Sequence, residues 1–362
     1  MRRRGAAPSR WYGVSQCVVS LVQRDAGSIG GIARYVQQLR AGLSASSEVE
    51  LRATNVGRLP VPLGGSLGLL RLTLRDVDVV HFPMHESFPV FAALRPPVVM
   101  TIHSVEPLFL SSEEVHGGVA PHLWRLPYQL LRVARSALRL VITPSETTAS
   151  EIERYLKVSR ERIRVIPHGV SPVFFDTAIA PYELPSGRPY VLHVSHHQPQ
   201  KNVVGLIDAL ARVDGVDLVI GGDTSRCDAA YAEAVGRHGL GDRVHFLGPV
   251  ADDETLSSLY RGAAAFALPS FQESFGLPVL EAAASGCAVI VGRGTGAAET
   301  AGDAAIAVDP RSVAEIAKAL HDLVEDDVLR ARLGAAGIER AAEFTWAKSI
   351  AAHVRVYREA AS

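Results

Sequence analysis

Short continuous apolar runs recur along this chain of 362 residues and alternate with stretches in which apolar positions return every three or four residues. Continuous runs are the pattern of parallel strands covered on both faces, and the longer period is that of helices with one buried stripe. The runs fall at 14–22, 78–82, 98–103, 141–143 and 163–166, then at 190–195, 216–220, 244–248, 263–268, 288–291 and 305–308. Helical segments are predicted from about 31 to 43, over 122–139, from Ser145 or Thr147 (the capping residues) to Leu156, and over 313–325 and 328–344, with a last one from Trp346. Strands alternating with helices predict an α/β chain with parallel sheets. The length is too great for one ordinary core and suits two domains. Between the two series lies 171–189, which holds Pro172, Pro181, Pro185, Gly187 and Pro189 without periodicity and reads as a linker. The expected layout is therefore a first domain over 1–178, a second over 188–345, and a final helix over 346–362.

Composition supports a globular protein, with 48% hydrophobic and 21% charged residues. Cys17, Cys227 and Cys287 are widely spaced and form no CxxC pair. That favours a reducing, cytoplasmic setting and argues against zinc. The opening Met1-Arg-Arg-Arg4 precedes an apolar stretch, 14–22, that is interrupted by Ser15, Gln16 and Ser20 and has no credible cleavage site, so it reads as a first strand and not as a signal peptide. No run approaches the roughly 20 apolar residues of a membrane helix. The net charge of −1 conceals an asymmetry, since residues 1–184 carry 21 Lys and Arg against 15 Asp and Glu, while 185–362 carry 16 against 23. A basic first half suits an anionic acceptor or peripheral contact with the inner face of a membrane, and is equally the mark of a solvated surface. The same choice applies to Arg125, Arg132, Arg135 and Arg139, which lie close to one helical face of 122–139, with Pro127 marking its first turn. Nucleic acid is not implied, because the charge is balanced and no reading module is present.

The densest chemistry lies in residues 268–290, LPSFQESFGLPVLEAAASGCAVI. They read as strand end, glycine-containing turn, short helix and new strand. Ser274 is placed to cap the helix, Pro278 suits a first turn where a missing N–H costs nothing, and Gly286 fits a left-handed stop. The N–H groups at Gly276, Leu277 and the helix start would then face outward with positive partial charge and suit a diphosphate. Glu273 stands before the helix and Glu281 about one turn inside it, so the two carboxylates reach different ends of one elongated ligand. Carboxylates suit vicinal hydroxyls, and a sugar nucleotide carries hydroxyl pairs on its hexose and on its ribose with two phosphates between them. The plainer reading is a strand–turn–helix unit with two surface glutamates.

The motif Glu273-Ser274-Phe275-Gly276-Leu277-Pro278, followed by Glu281-Ala282 and by Ser285-Gly-Cys-Ala-Val-Ile290, resembles the signature of retaining glycosyltransferases of family 4, the glycosyl transferases of group 1. That resemblance implies the GT-B fold, in which two Rossmann-like parallel-sheet domains face an interdomain cleft and the last helix crosses back to the first domain. It extends to other stretches. Gly30-Gly31, between the first strand and first helix, matches the loop near the donor diphosphate and the acceptor; it lacks the GxGxxG spacing of a nicotinamide site. Thr101-Ile102-His103 resembles the family's Thr-Ile-His, in which the histidine faces the donor sugar. His81 ends a strand in the same way and is a second candidate. Ile166-Pro-His-Gly-Val170 has His168 where the family commonly has asparagine.

In the second half, the strand ending at Ser195 leads into His196-His-Gln-Pro-Gln-Lys-Asn202. Only four of the 37 basic residues are lysines, so Lys201 is conspicuous, and Lys201-Asn202 matches the pair whose lysine neutralises the donor phosphates. The family commonly carries an arginine beside that lysine, where this chain has Gln200 and His196; Arg34, Arg243 and Arg293 are the arginines that would substitute. The loop at Val250 would border the base, and Glu299 either belongs with the donor-sugar contacts or only caps or pairs locally. Asp76-Val77-Asp78 precedes a strand without other hard oxygen ligands nearby, so no metal is assigned, and no cofactor.

These residues imply a retaining, metal-independent hexosyltransferase. Glu281 would hold the ribose, Glu273 the sugar hydroxyls, and Lys201 with the Gly276 and Leu277 N–H groups the departing diphosphate. His103 would position sugar or acceptor, and Ser195, His196, Asn202, Val250, Phe275, Gly30 and Gly31 would complete the donor site. The donor is a nucleoside-diphosphate sugar, with GDP-mannose the first suggestion of the resemblance, and the acceptor a glycan, lipid-linked glycan or small molecule. A GT-B nucleotide-sugar hydrolase or epimerase, and a catalytically silent sugar-nucleotide-binding scaffold, are the alternatives.

Overall fold

In a computed structural model, the structure describes residues 16–23, 31–55, 76–84, 94, 96–111, 121–225 and 227–362. Among the described residues there are two six-stranded sheets, each parallel throughout. The first contains β1 (Cys17–Gln23), β2 (Val49–Asn55), β3 (Val79–Phe82), β4 (Val98–Thr101), β5 (Leu138–Thr143) and β6 (Ile163–Val165), in the order β2-β1-β3-β4-β5-β6. The second contains β7 (Tyr190–Val194), β8 (Asp217–Gly221), β9 (Val244–Gly248), β10 (Ala265–Leu268), β11 (Val289–Gly292) and β12 (Ala305–Val308), in the order β12-β11-β10-β7-β8-β9. The central strands β3, β4, β8, β10 and β11 are buried at every position, which is why they read as unbroken apolar runs. Strand β2 escaped the sequence reading because it lies at the sheet edge, where VELRATN alternates apolar with polar residues.

The helices are α1 (Gly31–Ser44), α2 (Pro121–Ala134), α3 (Glu146–Glu151, continued by one π turn to Leu156), α4 (Val203–Leu210), α5 (Asp228–His238), α6 (Asp253–Gly262), α7 (Leu277–Ala284), α8 (Gly296–Ala301), α9 (Val313–Glu325), α10 (Asp327–Ala342) and α11 (Trp346–Ala361). Ser145, and not Thr147, caps α3, accepting from the N–H of Thr148. Pro127 lies inside α2 and not in its first turn, because the helix already begins at Pro121. Arg125 is drawn away from the arginine face, its Nε donating to the Pro107 carbonyl at 2.8 Å.

In each sheet the chain reverses its direction of winding between two neighbouring strands, β1 and β3 in the first and β7 and β10 in the second. The loops leaving the carboxyl ends of such strands part there and open a crevice. The stretch 171–189 between the sheets is not free: Phe174 and Leu184 are buried in the core of the second domain, and the Tyr182 N–H donates to the Ser258 carbonyl of α6 at 2.9 Å. The chain crosses between domains twice at one place. Val170 N donates to Phe344 O at 3.1 Å, and Gly169 fits because a Cβ there would lie 2.1 Å from the Trp346 nitrogen.

After that crossing, α11 returns to the first domain, where Val354, Val356, Tyr357 and Ala360 share a core with Val19, Leu21, Leu39 and Leu43. A buried polar chain fixes it in place. Tyr357 OH lies 2.8 Å from His81 Nδ1, His81 Nε2 is 2.9 Å from Thr101 Oγ1, Thr101 Oγ1 is 2.9 Å from Tyr35 OH, and Tyr35 OH is 2.9 Å from His353 Nε2. His353 Nδ1 ends the chain 2.8 Å from the Ser349 carbonyl. A carbonyl only accepts, so His353 carries its proton on Nδ1, and every other proton follows: Tyr35 donates to His353, Thr101 to Tyr35, His81 to Thr101 and Tyr357 to His81. His81 is thereby committed to the core and does not face the cleft, against its expected candidacy. Its neighbour across the chain cannot gain a proton without breaking the sequence.

Burial holds His81 well below the ordinary imidazole range, with His353 and His103 adding repulsion, and burial pushes His353 down to about 4. A depressed folded-state pKa means stability that is complete above about 6.5 and is lost as pH falls toward the folded value. In urea unfolding, the stability advantage of wild type over His353→Gln should shrink by about 1.4 kcal/mol per pH unit below 6.5. An advantage that is constant between pH 7.5 and 5 would refute the neutral chain.

Candidate active site

The loop 269–276 leaves the carboxyl end of β10 and turns into α7 at Gly276. That residue has φ +82°, and a Cβ on it would stand 2.8 Å from Cβ of Ala297, so both backbone and space require glycine. Gly276 also takes the N-cap place that Ser274 was expected to fill. Ser274 instead offers its carbonyl to Ser145 Oγ of the first domain at 2.6 Å. Pro278 lies in the first turn, and Gly286, at φ +79°, follows the end of the helix, both as the sequence indicates. The N–H groups at the head of α7 have no carbonyl to meet within the helix and leave a positive end at the crevice. The ring of Phe275 is buried in the second core, 4.9 Å from the ring of His168 and 5.9 Å from that of Phe344, and so supports the loop from behind.

On the other side of the winding reversal, the loop after β7 brings Lys201 to Glu273, Nζ to Oε2 at 2.6 Å, with both side chains about 15% exposed. Asn202 has left-handed backbone, φ +56°, and its amide donates to the carbonyls of Pro269 at 3.1 Å and Pro310 at 2.6 Å. It therefore positions the lysine, and its amide nitrogen is turned to protein. Ser195 Oγ lies 2.8 Å from Nε2 of the buried His193, whose Nδ1 donates to the Ala267 carbonyl at 2.8 Å. Burial pushes His193 down to about 3, so the neutral ring accepts the Ser195 proton and leaves the hydroxyl oxygen as an acceptor. His196 is exposed, and Val250 lies against Gly221 at the end of β8.

The first domain forms the opposite wall. Gly30 lies outside the described residues, while Gly31 opens α1 and faces Leu277, its Cβ position 3.7 Å from Leu277 Cδ1. One turn along α1, the Arg34 guanidinium crosses the cleft to Glu281 with one nitrogen and to Asp253 with the other, the latter at 2.6 Å. Glu281 is 4% exposed, and its second oxygen accepts from Tyr260 OH at 3.4 Å. Burial pushes this carboxyl up to about 7, against the pull of Arg34, and the nearby Asp253 raises it further. The two other arginines left open by the sequence are elsewhere. Arg243 donates to the carbonyls of Val213 and Val216 at 2.5 and 2.7 Å, and Arg293 pairs with Glu315 at 2.8 Å.

His103 is buried at the carboxyl end of β4, with Nε2 donating to the Pro83 carbonyl at 2.9 Å and its ring edge-on to Tyr35 at 4.9 Å. His168 touches Tyr35, His103, Phe275 and Trp346, and so joins both domains and the crossing segment; its Nδ1 is buried without a partner. Asp78 is engaged by the backbone, accepting from Val18 N at 2.8 Å. Glu299 acts as a cap, though on a helix remote in sequence: its carboxylate accepts from the N–H groups of Glu146 and Thr147 at 2.8 and 2.7 Å, across the domain boundary.

Two carboxyls went unnoticed in the sequence. Glu106 follows His103 in a short turn, with Oε2 buried and unpaired, and burial raises its pKa. Glu151 receives Gln272 Nε2 at 3.4 Å and is pushed up to about 7 by burial and then by Glu106. No local motif marks either, since only folding carries Glu106 near the Lys201–Glu273 pair and Glu151 near Glu106.

The family description "Glycosyl transferases group 1" matches residues 174–340, and "Glycosyltransferase Family 4" matches residues 47–174. The chain is 30% identical over 338 residues to the MMP alpha-(1->4)-mannosyltransferase of Mycolicibacterium hassiacum, covering 86% of this chain and 78% of that protein. It belongs to the GT-B glycosyltransferases. A second relative of this GT-B glycosyltransferase is the D-inositol 3-phosphate glycosyltransferase of Mycolicibacterium smegmatis, 30% identical over 277 residues; these are 74% of this chain but only 62% of that protein's length. The solved structure of Anabaena HepE in complex with UDP and glucose shares the fold at a TM-score of 0.73 and 19% identity, covering 95% of this chain and 100% of the other.

In this glycosyltransferase, the left-handed turn at the head of α7 is a backbone requirement. Gly276→Ala should lower stability by roughly 1–3 kcal/mol in urea unfolding. A variant as stable as its parent would show that the loop has another conformation.

Proposed function

We propose that the chain transfers a hexosyl group from a nucleoside-diphosphate sugar to an acceptor hydroxyl with retention of configuration and without a metal ion. The observation that carries the reading is the placing of Glu273, paired with Lys201, just before the head of α7 and of Glu281 one turn inside that helix, where it meets Arg34 of the first domain. In this reading the second domain holds the donor and the first the acceptor. Glu281 receives the ribose hydroxyls and Glu273 those of the hexose. Lys201 and the N–H groups at Gly276 and Leu277 stabilise charge on the departing diphosphate. His103, held by the Pro83 carbonyl, positions the sugar or the acceptor. Glu273, the carboxylate assigned to the hexose, is held by Lys201, which favours front-face substitution, in which the leaving phosphate oxygen takes the acceptor proton, over a glycosyl-enzyme on Glu273.

Hydrolysis or epimerisation, and silent binding, are the competing outcomes of one experiment. The purified protein is screened against UDP- and GDP-sugars by thermal shift and donor turnover, with Glu281→Ala as control. The mannosyltransferase among the relatives keeps GDP-mannose in the panel, and the UDP bound to HepE places UDP-hexoses ahead of it. One donor should raise the melting temperature of wild type with concentration and fail to do so in the variant. A folded wild type that binds none of them would remove the reading, and an adduct on Glu273 in mass spectrometry would replace its mechanism.

Contact with an anionic membrane surface is the reading favoured for α2, where Leu126 and Val133 are 52% and 78% exposed beside the exposed Arg132. Among the described residues no helix is long and apolar enough to cross a membrane. Sedimentation with phosphatidylglycerol vesicles should fall several-fold in a Leu126→Ser, Val133→Ser double variant, and equal sedimentation would dismiss the contact.

A further inference from the structure

We propose that Arg34 is a gate on Glu281: its guanidinium occupies that carboxylate until a ligand offers both a ribose diol and a diphosphate, and it then moves to the diphosphate. The inference rests on the donor reading above and assigns to the first domain a second cation for the diphosphate, beside Lys201 of the second.

Both oxygens of Glu281 are engaged, one by Arg34 and the other by Tyr260 OH at 3.4 Å. A vicinal diol cannot chelate the carboxylate while Arg34 remains. Nor does Arg34 leave without replacement, since a half-buried guanidinium, 31% exposed, would lose its charge-assisted bond for nothing in return. A nucleoside supplies only neutral hydroxyls. A nucleoside diphosphate supplies the diol and also an anion suited to the fork of an arginine.

The anion would lie within reach. Gly31 and Arg34 stand one turn apart on the same face of α1, and Gly31 lies against Leu277 at the head of α7. Glu281 is one turn into that same helix. The guanidinium therefore moves by about one helical turn, from the ribose end toward the phosphate end of the ligand, and stays in the cleft. The chemistry also needs it there. Gln200 stands beside Lys201, and Arg243 and Arg293 are held elsewhere, so among these candidates Arg34 alone can give the diphosphate a second fixed cation. Asp253 is the parking site, holding the second nitrogen of Arg34 at 2.6 Å and drawing it back toward Glu281 when the nucleotide departs.

The gate makes a prediction about a ratio. Titration calorimetry with UDP and GDP, and with uridine and guanosine, gives for the accepted base the affinity of diphosphate relative to nucleoside. In Arg34→Gln this ratio should fall at least tenfold, with the nucleoside binding as tightly as to wild type or several-fold more tightly, because the competitor for Glu281 is gone. Asp253→Asn loosens the parked arginine while leaving it in the site, and should bind the diphosphate several-fold more tightly than wild type. If Arg34 merely ties the domains together, diphosphate and nucleoside weaken in parallel in Arg34→Gln and the ratio holds; that result overturns the gate and leaves the donor reading intact. A wild type that binds neither diphosphate overturns the donor reading and the gate with it. Should Arg34→Gln fail to fold, Asp253→Asn decides: unchanged or weaker diphosphate binding rejects the gate.

Discussion

A carboxylate buried in the wall of a cleft must be met by a cation, and in this molecule the cation comes from the other side. Glu281 lies within the second domain, yet the guanidinium that draws its pKa down against the effect of burial belongs to α1 of the first. An uncompensated buried charge costs several kcal/mol, whereas most surface ion pairs contribute little. The approach of the two domains is therefore part of the electrostatics of the site. Neighbouring contacts act in the same sense: Ser145 reaches the Ser274 carbonyl, and Glu299 caps the head of α3. The loops that carry the candidate donor residues are thus held from both sides.

Behind these contacts lies a support of a different kind. The rings of His168, Phe275, Trp346 and Tyr35 gather where the chain crosses between domains, and the polar chain from Tyr357 to His353 runs beneath them through β3, β4 and α1. A fully satisfied buried network specifies one arrangement of its elements, because a shift of any member leaves polar groups stranded. His103 sits against Tyr35 at the edge of this assembly, so its place in the cleft is inherited from the packing of the last helix.

What the sequence revealed followed from local rules. Unbroken apolar runs marked the central strands, and Gly276, Pro278 and Gly286 marked the ends of α7, because each depends on a backbone conformation or a periodicity that neighbouring residues settle among themselves. The edge strand β2 was hidden by alternation. Asn202 and Phe275 are expected at the donor, yet the Asn202 amide nitrogen and the Phe275 ring are turned to protein, since a motif records which residues recur but not which way a side chain turns. The pairing of Arg34 with Glu281, 247 positions apart, and that of Glu151 with Gln272, 121 apart, exist only after the sheets have formed. Long-range electrostatics leave no signature in a window of sequence.

The return of α11 bears on how the protein is made. A chain synthesised from its N-terminus presents all six strands of the first sheet well before the 16 residues of that helix exist. Until they arrive, the apolar face of β1 and α1 lacks the cover given by Val354, Val356, Tyr357 and Ala360, and Tyr35 has no His353 to receive its proton. The domain that begins first therefore finishes last. Its completion waits until α11 has been made, and a ribosome that stops after the second domain would leave the nascent protein with one finished half and one open one.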